Sequence, residues 1–198
     1  MEVKMLSVGL YQVNCYILKQ NKEVLIIDPG AQEEKIIKEI RKDEKVLGVI
    51  LTHGHFDHIG AVDKVCDEFK CDVYVNPKDY PLIQDKSINS LGDQSGSIKR
   101  KPVALTMGEL SIGDFKLFCQ SAPGHSKGST IIQIENILFT GDVVFKSSIG
   151  RVDLWGGNEM EMLNTISEFK KFNDDLLIYP GHGDISDVKT EKKFNPYF

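Results

Sequence analysis

Within six consecutive positions the chain reads HGHFDH, His53 to His58, and His125, Asp142 and His182 follow further on. Imidazole and carboxylate groups are poor core fillers, and burying several of them side by side without partners is expensive. Such a concentration points to work done with lone pairs, either proton transfer or metal binding. The chain has five histidines (His53, His55, His58, His125 and His182), each in a glycine-containing stretch after an apolar run. Glycine lets backbones approach closely and frees a neighbouring ring to point outward. His53 and His55, two apart, can converge on one cation, while Asp57 and His58 can serve a neighbouring one. His125 and His182 arrive from distant positions, and the two oxygens of Asp142 could bridge. Nitrogen and oxygen donors without a thiolate suit zinc, iron or manganese rather than a cysteine-rich structural zinc site. Seven such donors shared by two metals leave room for water, so the expected site is open and catalytic in type. No serine–histidine pair remains for nucleophilic catalysis, because the histidines are already engaged.

The elements that must carry these residues follow from the apolar pattern. Five apolar runs end at or near a metal-capable residue: LIIDPG at Asp28, VILTHGH at His53, FCQSAPGH at His125, ILFTGD at Asp142 and LLIYPGH at His182. Strand ends followed by short loops are where layered α/β proteins build sites. Residues 14–20 and 23–30 predict a hairpin around Asn21-Lys22. Residues 31–42 predict a helix with Ile36, Ile37 and Ile40 on one face and acids before bases, as the macrodipole favours. KVLGVILTH reads as a buried strand, HIGAVDKVCDEFK as a helix with Val62, Val65 and Phe69 inward, and CDVYVN as another strand. This alternation predicts an α/β layer arrangement. Residues 85–97, rich in Ser, Asn, Gly and Asp, predict a long mobile loop over or beside the metal edge. Beyond it, strands turning at Gly113-Asp114 and Glu135-Asn136 precede a helix over 158–172 and a last strand in DLLIYPGHGD.

A length of 198 residues fits one domain, 1–198. The net charge of −5 gives no reason to expect nucleic acid, and Lys99–Lys101 reads as a solvated loop. Glu2 and Lys4 interrupt any leader-like apolar stretch, and no run is long enough to span a bilayer, so no membrane partner is expected. Cys15, Cys66, Cys71 and Cys119 form no CxxC pair, which reads as reduced residues of a cytoplasmic protein.

THGHFDHIG, followed in order by APGHSKGS, FTGD and YPGHGD, resembles the metallo-β-lactamase superfamily over nearly the whole chain, from NCYIL and DPG to His182. The resemblance implies a four-layer αβ/βα sandwich, two mixed β-sheets with metals at one edge. It assigns His53, His55 and His125 to a first metal, Asp57, His58 and His182 to a second, and Asp142 to the bridge. Asp57 is also the implied catalytic residue, and Asp28 orients ligands without binding metal. The segment 141–157, GDVVFKSSIGRVDLWGG, is similar to the glyoxalase II (hydroxyacylglutathione hydrolase) and persulfide dioxygenase branch, without the further helical domain of glyoxalase II. The expected reaction is hydrolysis of a small-molecule thioester by a hydroxide between two divalent ions, zinc first, with iron or manganese as alternatives. Lys146 and Arg151 are expected to hold a substrate carboxylate, while Trp155 either walls the pocket or packs beneath it. A β-lactamase fits less well, since no export signal is seen and Asp142 stands where many lactamases carry cysteine. Two rivals use the same residues: a persulfide dioxygenase with one Fe(II) on His53, His125 and Asp142, and a metal-binding protein without turnover.

Overall fold

A strand buried on both faces needs a covering layer on each side, and alternation along this chain supplies both. In the computed structural model, which describes residues 1–198, Tyr16, Leu18, Leu25, Ile27 and Ile50 pack against residues of a second sheet, among them Phe115, Leu117, Ile132 and Phe139. Their neighbours Cys15, Ile17, Val24, Ile26 and Val49 turn the other way, onto Ile36, Val62, Val65 and Cys66. The first sheet runs Glu2–Val8, Val13–Gln20, Glu23–Ile27, Lys45–Ile50, Asp72–Val75 and Val103–Ala104 in spatial order, antiparallel over the first three strands and parallel thereafter. The second runs Ser186–Asp187, Leu177–Pro180, Ile137–Gly141, Thr130–Ile134, Phe115–Ser121 and Gly108–Ile112. It is antiparallel except where Ile137–Gly141 lies beside Leu177–Pro180. The helix Glu159–Phe169 closes its outer face through Met162, Ile166 and Phe169, and the helix Val188–Phe194 adds Val188. The order is helix layer, sheet, sheet, helix layer, the expected αβ/βα sandwich.

Local chemistry explains the turns. Asn21 and Lys22 both take left-handed φ values, 49° and 68°, as a tight hairpin requires. Asn158 caps the helix Glu159–Phe169 by accepting from Glu161 N–H at 3.0 Å.

Three expected elements differ. The helix over 31–42 is only Glu33–Ile37, because the chain turns at Arg41, whose N–H donates to Glu44 Oε2 at 2.7 Å, to enter the next strand. The helix over 58–70 is two, Phe56–Ile59 and Val62–Phe69, with Gly60 between them. A Cβ at Gly60 would collide with the carbonyl oxygen of Gly30, so the break marks a close crossing of two loops. Residues 85–97 are not one unstructured loop. They contain a small hairpin, Ser90–Leu91 with Gln94–Ser95, anchored by the buried Asn89, which donates to Gly54 O at 2.8 Å and accepts from Phe56 N–H at 2.9 Å. The C-terminal helix Val188–Phe194 had no counterpart among the expected elements. No helix is long and apolar enough to cross a membrane. All four cysteines are free and buried.

Candidate metal centre

The five strand ends singled out in the sequence meet at one edge of the sandwich. Asp28 leaves its strand with a φ of 50°, a left-handed turn that aspartate tolerates better than most residues. Its carboxylate accepts the N–H and O–H of Thr52, at 2.8 and 2.5 Å, and the Nδ1–H of His58 at 3.0 Å. Because the Thr52 hydroxyl is donated to Asp28, its oxygen accepts from His53 Nδ1, 3.1 Å away. His125 Nδ1 donates to the carbonyl of Arg151 at 2.7 Å, and His182 Nδ1 to that of Tyr11 at 2.9 Å. Each of these four rings is therefore held by its Nδ1, which turns Nε2 toward the centre, where His125 Nε2 also lies 2.7 Å from His55 Nδ1.

The free atoms gather in two groups. Donor atoms of His53, His55 and His125 lie within 4.8 Å of one another, and so do those of Asp57, His58 and His182. Asp142 stands between them. Its Oδ1 is 3.4 Å from His58 Nε2, and its Oδ2 is 3.5 Å from both His125 Nε2 and His182 Nε2. A third set, Asp28 with His53 and His58, has the same spacing, but donors from Thr52 and His58 already occupy the Asp28 oxygens, so this carboxylate orients rather than binds. His53 Nε2, His55 Nε2 and Asp142 Oδ1 are buried with no hydrogen-bond partner. An orphaned buried polar atom costs about 1–3 kcal/mol. Buried imidazole and carboxylate atoms left without donors beside these groups fit a cation.

The two groups differ electrically. Burial, followed by the charge of His58, drives His53 well below its ordinary pKa, and burial with the neighbouring His125 takes His55 down to about 3. Burial also opposes charge on His58, but Asp142, Asp57 and Asp28 outweigh it and hold that ring well above its usual value. Likewise burial opposes charge on His182, yet hydrogen bonds to Asp142 and Asp57 raise it to about 9. Without metal, His53 and His55 are thus neutral and ready to donate, whereas His58 and His182 carry protons that a cation must displace. Metal uptake by Asp57, His58 and His182 is expected to release protons, its affinity rising about tenfold per pH unit for each proton displaced and levelling near pH 9. Because His53 and His55 are already neutral, their share of the uptake is expected to release no proton over the same range. Calorimetric titration in buffers of different ionisation enthalpy reads the released protons, and a second equivalent that releases none sinks this assignment.

A cleft of about 350 Å³ opens above the centre, walled by Tyr11, Phe56, Leu91, Phe145 and Leu154, with Arg151 as its one arginine or lysine. The Arg151 guanidinium is paired with both oxygens of Asp153, at 2.7 and 2.8 Å. Lys146, expected beside it, does not line the cleft. Its Nζ pairs with Asp184 at 3.0 Å on the exposed rim, a correction that follows from the strand Val144–Phe145 ending just before it. Trp155 stacks under Lys127 at 5.2 Å, and Leu154 takes the wall position instead. A larger groove of about 630 Å³ runs beside Gly108–Ile112 and Phe115–Ser121, but it holds no histidine, so the chemistry lies in the smaller cleft. Tyr11, Thr52 and Asn89 had no sequence signal, since two act through backbone or hydroxyl groups and the third lies in a polar stretch.

Comparison with known proteins agrees with this geometry. The family model of the metallo-beta-lactamase superfamily matches residues 8–182. The probable metallo-hydrolase YqgX of Bacillus subtilis (strain 168) is 37% identical over 205 residues, spanning 100% of this chain and 97% of its own. Hydroxyacylglutathione hydrolase GloC of Haemophilus influenzae is 30% identical over 212 residues, 100% of this chain and 98% of its own. The crystal structure of the BLEG-1 B3 metallo-beta-lactamase superposes with a TM-score of 0.94 at 35% identity, covering 99% of each chain. With its histidines and aspartates at the strand ends, its two sheets and this match over most of its length, the chain belongs to the metallo-beta-lactamase superfamily.

Proposed function

We propose that this metallo-hydrolase cleaves small thioesters with two divalent ions, zinc or iron, bound at the sheet edge. The observation that carries the reading is Asp142, whose oxygens lie 3.4 to 3.5 Å from donor atoms of both groups. His53, His55 and His125 would hold one ion and Asp57, His58 and His182 the other, with Asp142 reaching both. Such a pair supplies a hydroxide near neutral pH and a Lewis acid for the carbonyl. The chain's own residues do the rest. Asp28, Thr52 and the carbonyls of Tyr11 and Arg151 hold the rings in one tautomer. Asp57, with Oδ2 3.3 Å from His182 Nε2, is placed in the cleft wall to take a proton from the attacking water. A departing thiolate has a pKa of about 8.5 and needs little help from an acid. Tyr11, Phe56 and Leu91 face an apolar acyl or thiol chain across from Phe145 and Leu154, and Arg151 meets a carboxylate.

The thioester reading draws on the similarity to GloC. Similarity to BLEG-1 over 99% of both chains favours a second reading, β-lactam hydrolysis by the same centre. Metal analysis of protein purified without added metal, beside a panel of S-acyl thiols, a cephalosporin and a persulfide, separates them. Two metals per chain with turnover of thioesters are expected. Turnover of the cephalosporin alone establishes the second reading, and one iron with O₂ uptake on the persulfide overturns both.

Arg151→Ala is expected to leave metal content unchanged. A lost charge-assisted hydrogen bond is worth about 1.5–3 kcal/mol, so kcat/KM for a carboxylate-bearing thioester should drop roughly 10- to 100-fold. An equal drop for an uncharged thioester removes the carboxylate role.

A further inference from the structure

Asp79 belongs to none of the strand-end stretches. It lies in NPKD, just after the strand Asp72–Val75, and is fully buried. Its partners are all uncharged. Oδ2 accepts the backbone N–H of Gly54 at 2.9 Å and the hydroxyl of Ser126 at 2.7 Å, while Oδ1 accepts the N–H of Gly128 at 2.7 Å. Gly54 separates His53 from His55, and Ser126 directly follows His125. Two loops from different sheets thus close on one carboxylate. The fit is tight, since a Cβ added at Gly128 would come within 2.6 Å of the Asp79 carboxyl carbon, and one at Gly54 within 3.3 Å of its Cβ.

We infer that Asp79 is a positioning residue that sets the spacing of His53, His55 and His125, and with it their affinity for a divalent ion. A carboxylate is acceptor-only, so it can satisfy three converging donors at once. An asparagine of the same size presents an NH₂ on one side. If its oxygen keeps Gly54 and Ser126, the Gly128 N–H meets a donor and the His125 loop is released. If it turns round, the Gly54 N–H is left unpaired and the His53–His55 loop is released. Either way one side of the three-histidine group loses its anchor. Asp57, His58 and His182 are held through Asp28 and Tyr11 instead, so their affinity does not depend on Asp79.

The inference rests on reading the two groups as metal sites, and Co(II) titration of the whole chain with a competing chelator tests the two ideas separately. The two equivalents are told apart by their visible absorption, since three imidazoles give a different ligand field from a carboxylate with two imidazoles. Asp79→Asn is expected to weaken the three-histidine equivalent by about 10- to 100-fold and to change its visible d–d absorption, with the other equivalent held within about twofold. Ser126→Ala keeps both backbone contacts and is expected to shift the same equivalent in the same direction by less. It carries the comparison if Asp79→Asn does not fold. Wild-type affinity and absorption in both variants overturn the inference, even if their unfolding temperatures drop, because Asp79 would then serve only the fold. Failure of the unaltered chain to take up cobalt overturns the metal reading itself, and the inference with it.

Discussion

Asp142→Asn is expected to strip metal from both groups and to lower thioester turnover by at least about 100-fold, beyond the range seen when a merely supporting partner is lost. Asp142 follows the strand Ile137–Gly141 directly, so its position is set by a rigid element rather than a loop. Its oxygens face both groups, one 3.4 Å from His58 and the other 3.5 Å from His125 and His182. Asparagine keeps the size but removes the negative charge and replaces one oxygen by an NH₂ that cannot bind a cation. Two neighbouring dications repel four times as strongly as two unit charges, and an anion between them offsets that repulsion. The same carboxylate holds the proton on His182, so the variant should also release fewer protons when metal is added. Elemental analysis after gel filtration, beside thioester kinetics, reads the outcome. Two tightly held metals with normal turnover would remove the bridging role.

Gly181→Ala is expected to be nearly as damaging, although it alters no ligand. A Cβ at Gly181 would overlap Asp142 Oδ1 and stand 2.8 Å from His58 Cε1, inside the space that the two groups share. The backbone cannot retreat. Gly181 N–H donates to Gly141 O at 2.8 Å, and Gly181 O accepts from Asn14 N–H at 2.7 Å, one bond to each sheet. Overpacking of this kind costs about 1–3 kcal/mol of stability, and here the displaced side chains are two of the proposed metal ligands. Gly183→Ala is the matching control. Gly183 has a φ of 76° with nothing within 4 Å of an added Cβ, so it should cost about 1 kcal/mol of stability through backbone strain alone and leave metal content intact. Urea denaturation and metal stoichiometry on the pair test this. Equal metal content in both variants would mean that Gly181 does not abut the centre.

The metal-capable residues were legible in the sequence because their signal is chemical and local. Histidine and aspartate are recognisable as donors wherever they stand, and the apolar runs before Asp28, His53, His125, Asp142 and His182 mark strand ends through side-chain pattern alone. The hairpin at Asn21-Lys22 and the alternation of strand and helix were readable on the same grounds, whereas the four-layer order came from the resemblance of the motifs to a known family. What holds the ligands was not readable. His125 and His182 lean on the carbonyls of Arg151 and Tyr11, and every residue has a carbonyl, so its side chain gives no sign of that role.

Asp79 and Asn89 stand outside the strand-end motifs, and only folding brings Gly54 within 2.8 to 2.9 Å of both. Residues 85–97 have too little apolar surface to order themselves, and their hairpin exists because Asn89 and the Phe56–Ile59 segment hold it from outside. Lys146 and Arg151 both read as cations for a substrate carboxylate, Arg151 before Lys146. The short hairpin Val144–Phe145 with Ser148–Ile149 separates them, leaving one on the rim and one in the cleft. Composition and period determine which residues can donate a lone pair and which strands carry them. Their direction, spacing and charge depend on contacts between residues far apart in the chain, and those contacts exist only once the two sheets have packed.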